Sequence, residues 1–354
     1  MKKFLLSSVV FFLIILLANL LFGYYHNREE RQAILNKTHS KYLQYNDIHD
    51  PSNKYDIIFL GSSRGHDAYN PVIFDSVLQT SSFNMCTGGQ NIIETYYVLK
   101  EILRFQRPKT IVYEIFLPSF SATNNYHYIL SNAKFMSNEG ELDMIINGFG
   151  LDGVANYCLP ILKHKYMLKK QLAESDLFRR ERTSNKVDIQ YIKGYIPDSA
   201  IVTKADIQTF KPIYSFTNTQ TSDKKLKQYF AAFVGLCEQN EIELICVTAP
   251  YPPSRLKLTT TDSASCYFKE ACKGFNVPYI DFNYLNDGKY EYQDTDFTDH
   301  HHMNYRGANK VSMQLAKIMA GPRPYEGHSF CSTVLHSGTC RSYLVQSWRH
   351  NSVL

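Results

Sequence analysis

The chain has 354 residues, enough for one large domain or two small ones with a sizeable core. Hydrophobic residues make up 44% and charged residues 20%, a balance that excludes a disordered chain. The formal net charge of +5 is spread along the sequence and gives nucleic-acid binding no support.

The first 25 residues stand apart. Lys2 and Lys3 precede an uncharged apolar run from Phe4 to Tyr25. About 20 such residues cross the hydrocarbon core of a bilayer as a helix. The two lysines favour a cytoplasmic N-terminus and place the remainder outside, so the expected location is the cell membrane with an extracytoplasmic domain. A cleaved signal peptide is the competing reading. Its apolar region usually has only about 7–15 residues and ends in a small-residue site, whereas Leu21-Phe22-Gly23-Tyr24-Tyr25 offers no clean one.

Residues 26–54 are polar and are expected to form a helical stalk. "YDIIFLG" then reads as a buried strand ending in glycine. Asn70-Pro71 is a helix start, with Asn as N-cap and Pro at the first helical position. The helix is expected to carry Val72, Ile73, Val77 and Leu78 on one side. "SSFNMCTGGQN" suggests a short strand and a glycine turn, 92–105 a helix, and "PKTIVYEIFLP" the next buried strand. The pattern resumes with a helix over 223–241, a strand over 242–250, a helix over 263–275, a short strand over 277–282 and a helix over 304–320. Alternation of this kind predicts a mostly parallel sheet with helices on both faces. Residues 119–222 show no such alternation and read as a partly helical insertion over the C-terminal edge of the sheet. That edge is where parallel α/β sheets bind ligands. The tail, 321–354, has little periodicity.

Eight cysteines lie at 86, 158, 237, 246, 266, 272, 331 and 340. None has CxxC spacing, so a zinc ribbon is unsupported. Export permits disulfides, and Cys266 and Cys272 are the one close pair.

Two stretches carry chemistry. In "DIIFLGSSRGH" two serines and an arginine follow directly on a strand. In "DFTDHHHMNYRGANKVS", Asp299 and His302 are three apart in a turn before a helix. A carboxylate so placed can orient an imidazole and stabilise its protonated form. A serine at the end of another strand can approach the other ring nitrogen and lose its proton to it. An oxyanion formed at the attacked carbon needs N–H donors, and glycine turns offer them without a blocking side chain. Gly89 is the main candidate, with Gly88 beside it, Asn91 as a side-chain donor and the N–H of Ser63 itself. Arg64 would either contact an anionic acceptor or pair with a carboxylate. His300 and His301 read as exposed neighbours. Asp294, Asp296, Asp299, His300 and His302 could hold a metal, but nothing else in the chain supplies further ligands, and neither metal nor cofactor is expected. Gly61-x-x-x-Gly65 lacks the lysine of a phosphate-cradling loop.

"FLGSSR" followed much later by "DHHHMNYRG" resembles the SGNH (GDSL-like) hydrolase superfamily. There a strand ends in Gly-Asp-Ser, and an Asp-x-x-His near the C-terminus completes the triad. Gly61-Ser62-Ser63 matches the first block with Ser in place of Asp. Asp299 and His302 match the last, and "FNMCTGGQN" is similar to the second. The family's Gly-x-Asn-Asp has no counterpart, since "LPSF" follows the strand "IVYEIF". The resemblance covers roughly 55–118 and 242–320. It implies a three-layer, flavodoxin-like α/β fold over 55–320, with the insertion at 119–222 and the anchor at 1–25. It also implies Ser63 as nucleophile, His302 as base and Asp299 as its partner. The anchor, the Ser-Arg and the missing Asn resemble the membrane-anchored extracytoplasmic branch that works beside membrane-bound O-acyltransferases. That branch implies transfer of an acyl group, acetyl by analogy, to a polysaccharide hydroxyl. An esterase with the same triad and a catalytically silent glycan-binding assembly factor are the alternatives.

Overall fold

The computed structural model describes residues 2–37, 39–120, 130, 132–163, 190–211, 224–258, 262–285 and 291–321. Residues 322–354 of the expected tail, with Cys331 and Cys340, lie outside these ranges. Two compact units are present, Met1–Tyr45 with Asn124–Ile189, and Asn46–Thr123 with Gln190–Leu354.

The first unit contains α1 (Lys2–His26), long and apolar enough to cross a membrane, with a mean hydropathy of 2.7 over its apolar window. Phe4, Phe12, Leu13, Leu17 and Leu21 are exposed on it. Among the described residues no core covers these side chains. Its buried Asn19 accepts a hydrogen bond from the N–H of Ile161 at 3.1 Å. The unit also holds α2 (Arg28–Leu35) and part of α3 (Ser40–His49). From the insertion it holds α7 (Asn138–Asp143), a short π-helix (Met144–Gly148), α8 (Phe149–Cys158) and α9 (Pro160–Lys163).

The second unit is built on five parallel strands: β1 (Ile57–Gly61), β2 (Ser82–Asn84), β3 (Thr110–Glu114), β4 (Glu243–Thr248) and β5 (Tyr279–Asp281). Their spatial order is β2-β1-β3-β4-β5, the flavodoxin-like arrangement, in which strand order reverses between β1 and β3. β1 and β3 are buried at every position, which is why both read as unbroken apolar runs. Alternate residues feed opposite faces. Ile57, Phe59, Val112, Ile245 and Val247 pack with Tyr69, Phe74, Val311 and Leu315 on one side. Ile58, Leu60, Ile111 and Tyr113 point the other way, where Tyr113 meets Phe233 of α11 (Lys224–Gln239) at 5.2 Å. Helix α6 (Ile92–Phe105) buries Val98, Leu99 and Ile102. The result is a three-layer α/β fold.

Several local expectations need correction. In α5 (Pro71–Leu78), Asn70 caps the helix by accepting from Val72 N–H at 3.1 Å. Val77 and Leu78 pack against the core, partly buried, but the fully buried residues are Pro71 and Phe74, and Val72 is exposed. Phe74 points inward because the sheet and the last helix, α14 (Tyr305–Ala320), lie on that side. The stretch read as stalk does not stay free to its end: Ile48 is fully buried, and Gln106 Nε2 donates to its carbonyl at 2.9 Å. Within 190–211, Lys193 O accepts from Asn84 N–H at 2.9 Å and Lys193 Nζ lies 2.6 Å from Asp75. This segment therefore covers the outer edge of β2, which would otherwise present unpaired backbone groups. Cys266 and Cys272 are not joined to each other by a disulfide.

Candidate active site

Gly61 ends β1 with φ near +145°, and a Cβ there would meet the backbone of Glu114 at 2.9 Å. Only glycine makes this turn so close to β3. The chain passes straight into a short helix, α4 (Ser63–Ala68). Ser62 is its N-cap, accepting from Arg64 N–H, and Ser63 is its first residue. The Ser63 N–H therefore belongs to the first turn, where backbone donors have no intrahelical acceptor.

Two sets of contacts hold α4 in place. Asn84, at the end of β2, donates its amide to the carbonyls of Gly65, His66 and Tyr69 at 3.1, 3.2 and 2.8 Å. Beneath the helix lies Arg64, fully buried. Its Nη2 donates to the carbonyls of Ala249 and Pro250 just past β4, and its Nε is 3.4 Å from Glu114. The guanidinium stacks 3.8 Å from the Tyr251 ring centre. Glu114 also accepts from Ser62 Oγ at 3.0 Å. Burial raises its pKa above the usual carboxylate value, opposed by Arg64 and Ser62. Arg64 thus ties the serine turn to the ends of β3 and β4. Of its two expected roles it takes the ion pair, and it is not presented to an anionic acceptor.

The second half of the site is a tight loop after β5. Phe297 bridges Met303, and Thr298 N–H donates to His302 O at 2.9 Å. Asp299 Oδ1 accepts the N–H groups of His301 and His302 at 2.8 and 2.9 Å. Its other oxygen, Oδ2, is 2.7 Å from His302 Nδ1. The three-residue spacing thus lets one carboxylate shape the loop with one oxygen and hold the ring with the other. Asn304 caps α14 by accepting from Arg306 and Gly307 N–H. Ser312 on α14 accepts from Asn70 N–H at 2.8 Å and donates to Ala68 O at 3.2 Å. These bonds join the helix after the histidine loop to the end of α4.

Across 239 residues of sequence, Ser63 Oγ lies 2.8 Å from His302 Nε2. Burial lowers the His302 pKa, but the bond to Asp299 and the charges of Asp67 and Asp299 outweigh it, and the net direction is up. Asp299 is raised by burial, yet His302 and two backbone N–H groups hold it well below the usual range.

The remaining expected residues divide. Thr87 N–H donates to Gly61 O at 3.0 Å, so Gly88 and Gly89 follow immediately past the end of β1, beside the serine turn. Among the described residues, chain neighbours aside, no atom lies within 4 Å of where a Gly88 Cβ would sit. Asn91 plays a structural part, because its side-chain oxygen caps α6 at Glu94 N–H, 2.9 Å away. Asp294 accepts from Ser254 N–H, and Asp296 pairs with Lys310 at 2.6 Å, so neither joins the histidines. His300 is half exposed as expected, but the His301 side chain is only 21% exposed and faces Asp299. Sequence reasoning missed Glu114, although a lone acid closing an apolar strand, "TIVYE", was its signal.

The fold and these contacts define an α/β protein with a serine–histidine–aspartate chain at the C-terminal edge of a parallel sheet. No family model matches the sequence, and no curated protein matches it. Nine chains of solved structures match. One, the crystal structure of a "putative acylhydrolase" from Bacteroides fragilis, is 11% identical, with 79% of this chain and 95% of that chain covered and a TM-score of 0.36. At that score the likeness is too slight to assign anything to this chain.

Proposed function

We propose that this protein is a membrane-anchored, extracytoplasmic serine acyl enzyme that moves an acyl group, acetyl by preference, onto a hydroxyl of a cell-surface polysaccharide. The supporting observation is the run of short contacts from Ser63 through His302 to Asp299. His302 Nε2 takes the Ser63 proton as Oγ attacks the acyl carbon, and Asp299 stabilises the imidazolium that results. The oxyanion is held by the N–H groups of Ser63 and of Gly88 or Gly89. His302 returns the proton to the leaving group, then deprotonates the acceptor hydroxyl that resolves the Ser63 ester. A membrane-bound O-acyltransferase is the proposed source of the acyl group.

Hydrolysis is the second reading. The side chain of Asp299 is 42% exposed, so water reaches the neighbourhood of the acyl-enzyme, and transfer depends on keeping it out. The test uses the full chain in detergent with a chromogenic acetyl ester, with and without an oligosaccharide acceptor. Ser63→Ala and His302→Ala should each lower turnover on the order of 10⁴-fold or more. Unchanged turnover in either variant would remove the triad. Acetylated sugar in excess of free acetate supports transfer, and the reverse supports the esterase.

A further inference from the structure

A serine mechanism needs one histidine, and this loop brings three to one carboxylate. His302 Nδ1 is 2.7 Å from Asp299, His301 Nδ1 3.9 Å and His300 Nδ1 4.0 Å. Asp299, His301 and His302 each offer a ligand atom, and all of these lie within 4.8 Å of one another. The rings of His301 and His302 are 3.8 Å apart at their centres. Among the described residues, the ring nitrogens of His301 make no hydrogen bond that would explain this orientation.

We propose that Asp299, His301 and His302 form a site for a divalent transition-metal cation of the zinc type, and that its occupancy switches the Ser63 centre off. Tetrahedral zinc takes imidazole nitrogen and carboxylate oxygen at about 2.0–2.2 Å, which sets neighbouring ligand atoms about 3.3 Å apart. The separations of 2.7 Å from His302 Nδ1 to Asp299 Oδ2 and 3.9 Å from His301 Nδ1 to Asp299 Oδ1 bracket that value, so turning one carboxylate and moving two rings within one short loop completes the set. The Asp299 hydrogen bonds to the loop backbone already fix much of it. Two imidazoles among three donors select against magnesium and calcium, which prefer oxygen. His300 or water would take the fourth position. A cation on His302 Nδ1 takes the lone pair of the tautomer whose proton sits on Nε2, and it neutralises the Asp299 carboxylate. The nitrogen facing Ser63 then bears an N–H and has no lone pair to accept the hydroxyl proton.

Binding stands on geometry alone, while inhibition rests on the acyl-enzyme reading, so the two are measured separately. The chelator-treated full chain in detergent is titrated with Co²⁺, followed by the visible absorption of the bound ion, and with Zn²⁺, followed by calorimetry and by turnover of the acetyl ester. One ion per chain is expected, with loss of turnover that a chelator reverses. His301→Ala should weaken binding about 10- to 100-fold or more while keeping basal turnover. His301→Gln serves if the alanine variant folds poorly. No stoichiometric binding, or equal affinity in wild type and the His301 variants, overturns the site. Zinc binding that leaves turnover unchanged or raises it overturns the switch. Co²⁺ binding that depends on His301 in a chain without esterase activity would keep the site and reject the serine mechanism.

Discussion

His302 carries the pH behaviour of the site. Its pKa is held above the ordinary 6.5 because the bond to Asp299 and nearby negative charge outweigh burial. In the proposed mechanism His302 must be neutral to take the Ser63 proton, so kcat/KM should rise with pH through a midpoint above 6.5. Asp299→Asn removes the main interaction that raises it. The midpoint should then move down, and kcat should fall about 10⁴-fold. An unmoved midpoint in the pH–rate profile would mean that the pair does not tune the base. Arg64 and Glu114 make a second prediction at this scale. Arg64→Met leaves a buried carboxylate without its cation and should cost about 3–5 kcal/mol in urea unfolding. Adding Glu114→Gln should recover part of that loss, and strict additivity would argue against the pair. Arg64 illustrates why its role was not legible. A charged residue beside a serine reads equally as ligand contact or ion pair, and only the position of Glu114, far along the chain, decides between them.

At the scale of elements, α4 is the part that local signals do not reveal. Its six residues, "SRGHDA", have no apolar periodicity, and so short a helix is unstable alone. It exists because Asn84, Ser312 and Arg64 hold its ends. Gly65 lets it lie close to the sheet: a Cβ there would meet Cys86 Sγ at 2.6 Å and Glu114 Cβ at 3.0 Å. Gly65→Ala should therefore tilt α4 away from β3, destabilise the fold by about 1–3 kcal/mol, and lower kcat more than KM by moving Ser63 off His302. Full activity in that variant would show that the helix has freedom which the packing denies. The longer elements were legible for the opposite reason. β1, β3 and α6 each declare themselves through periodicity within their own span. That Phe74 rather than Val72 turns inward on α5 was not legible, since that depends on where α14 packs.

For the whole molecule, α1 is the helix long and apolar enough to cross a membrane, and the proposed anchoring rests on it. Leu13 and Leu17 are exposed on it, and each arginine near the centre of a spanning helix costs about 2.5–3.5 kcal/mol on insertion. Leu13→Arg with Leu17→Arg should move the chain from the carbonate-washed membrane pellet to the soluble fraction, with ester turnover per mole kept. Retention in the pellet would show that something other than α1 holds it there.

The sequence by itself determined the apolar N-terminal helix, the strand–helix alternation and the Asp299–His302 spacing. Each depends on residues within one turn or one strand of each other, so hydrophobic period and loop geometry are enough. Tertiary structure alone decided that Ser63 meets His302, that Arg64 is buried and that His301 turns toward Asp299. Those outcomes depend on parallel register, on the order of strands and on helix docking. These arise from contacts between segments far apart in the chain, and no local pattern encodes them.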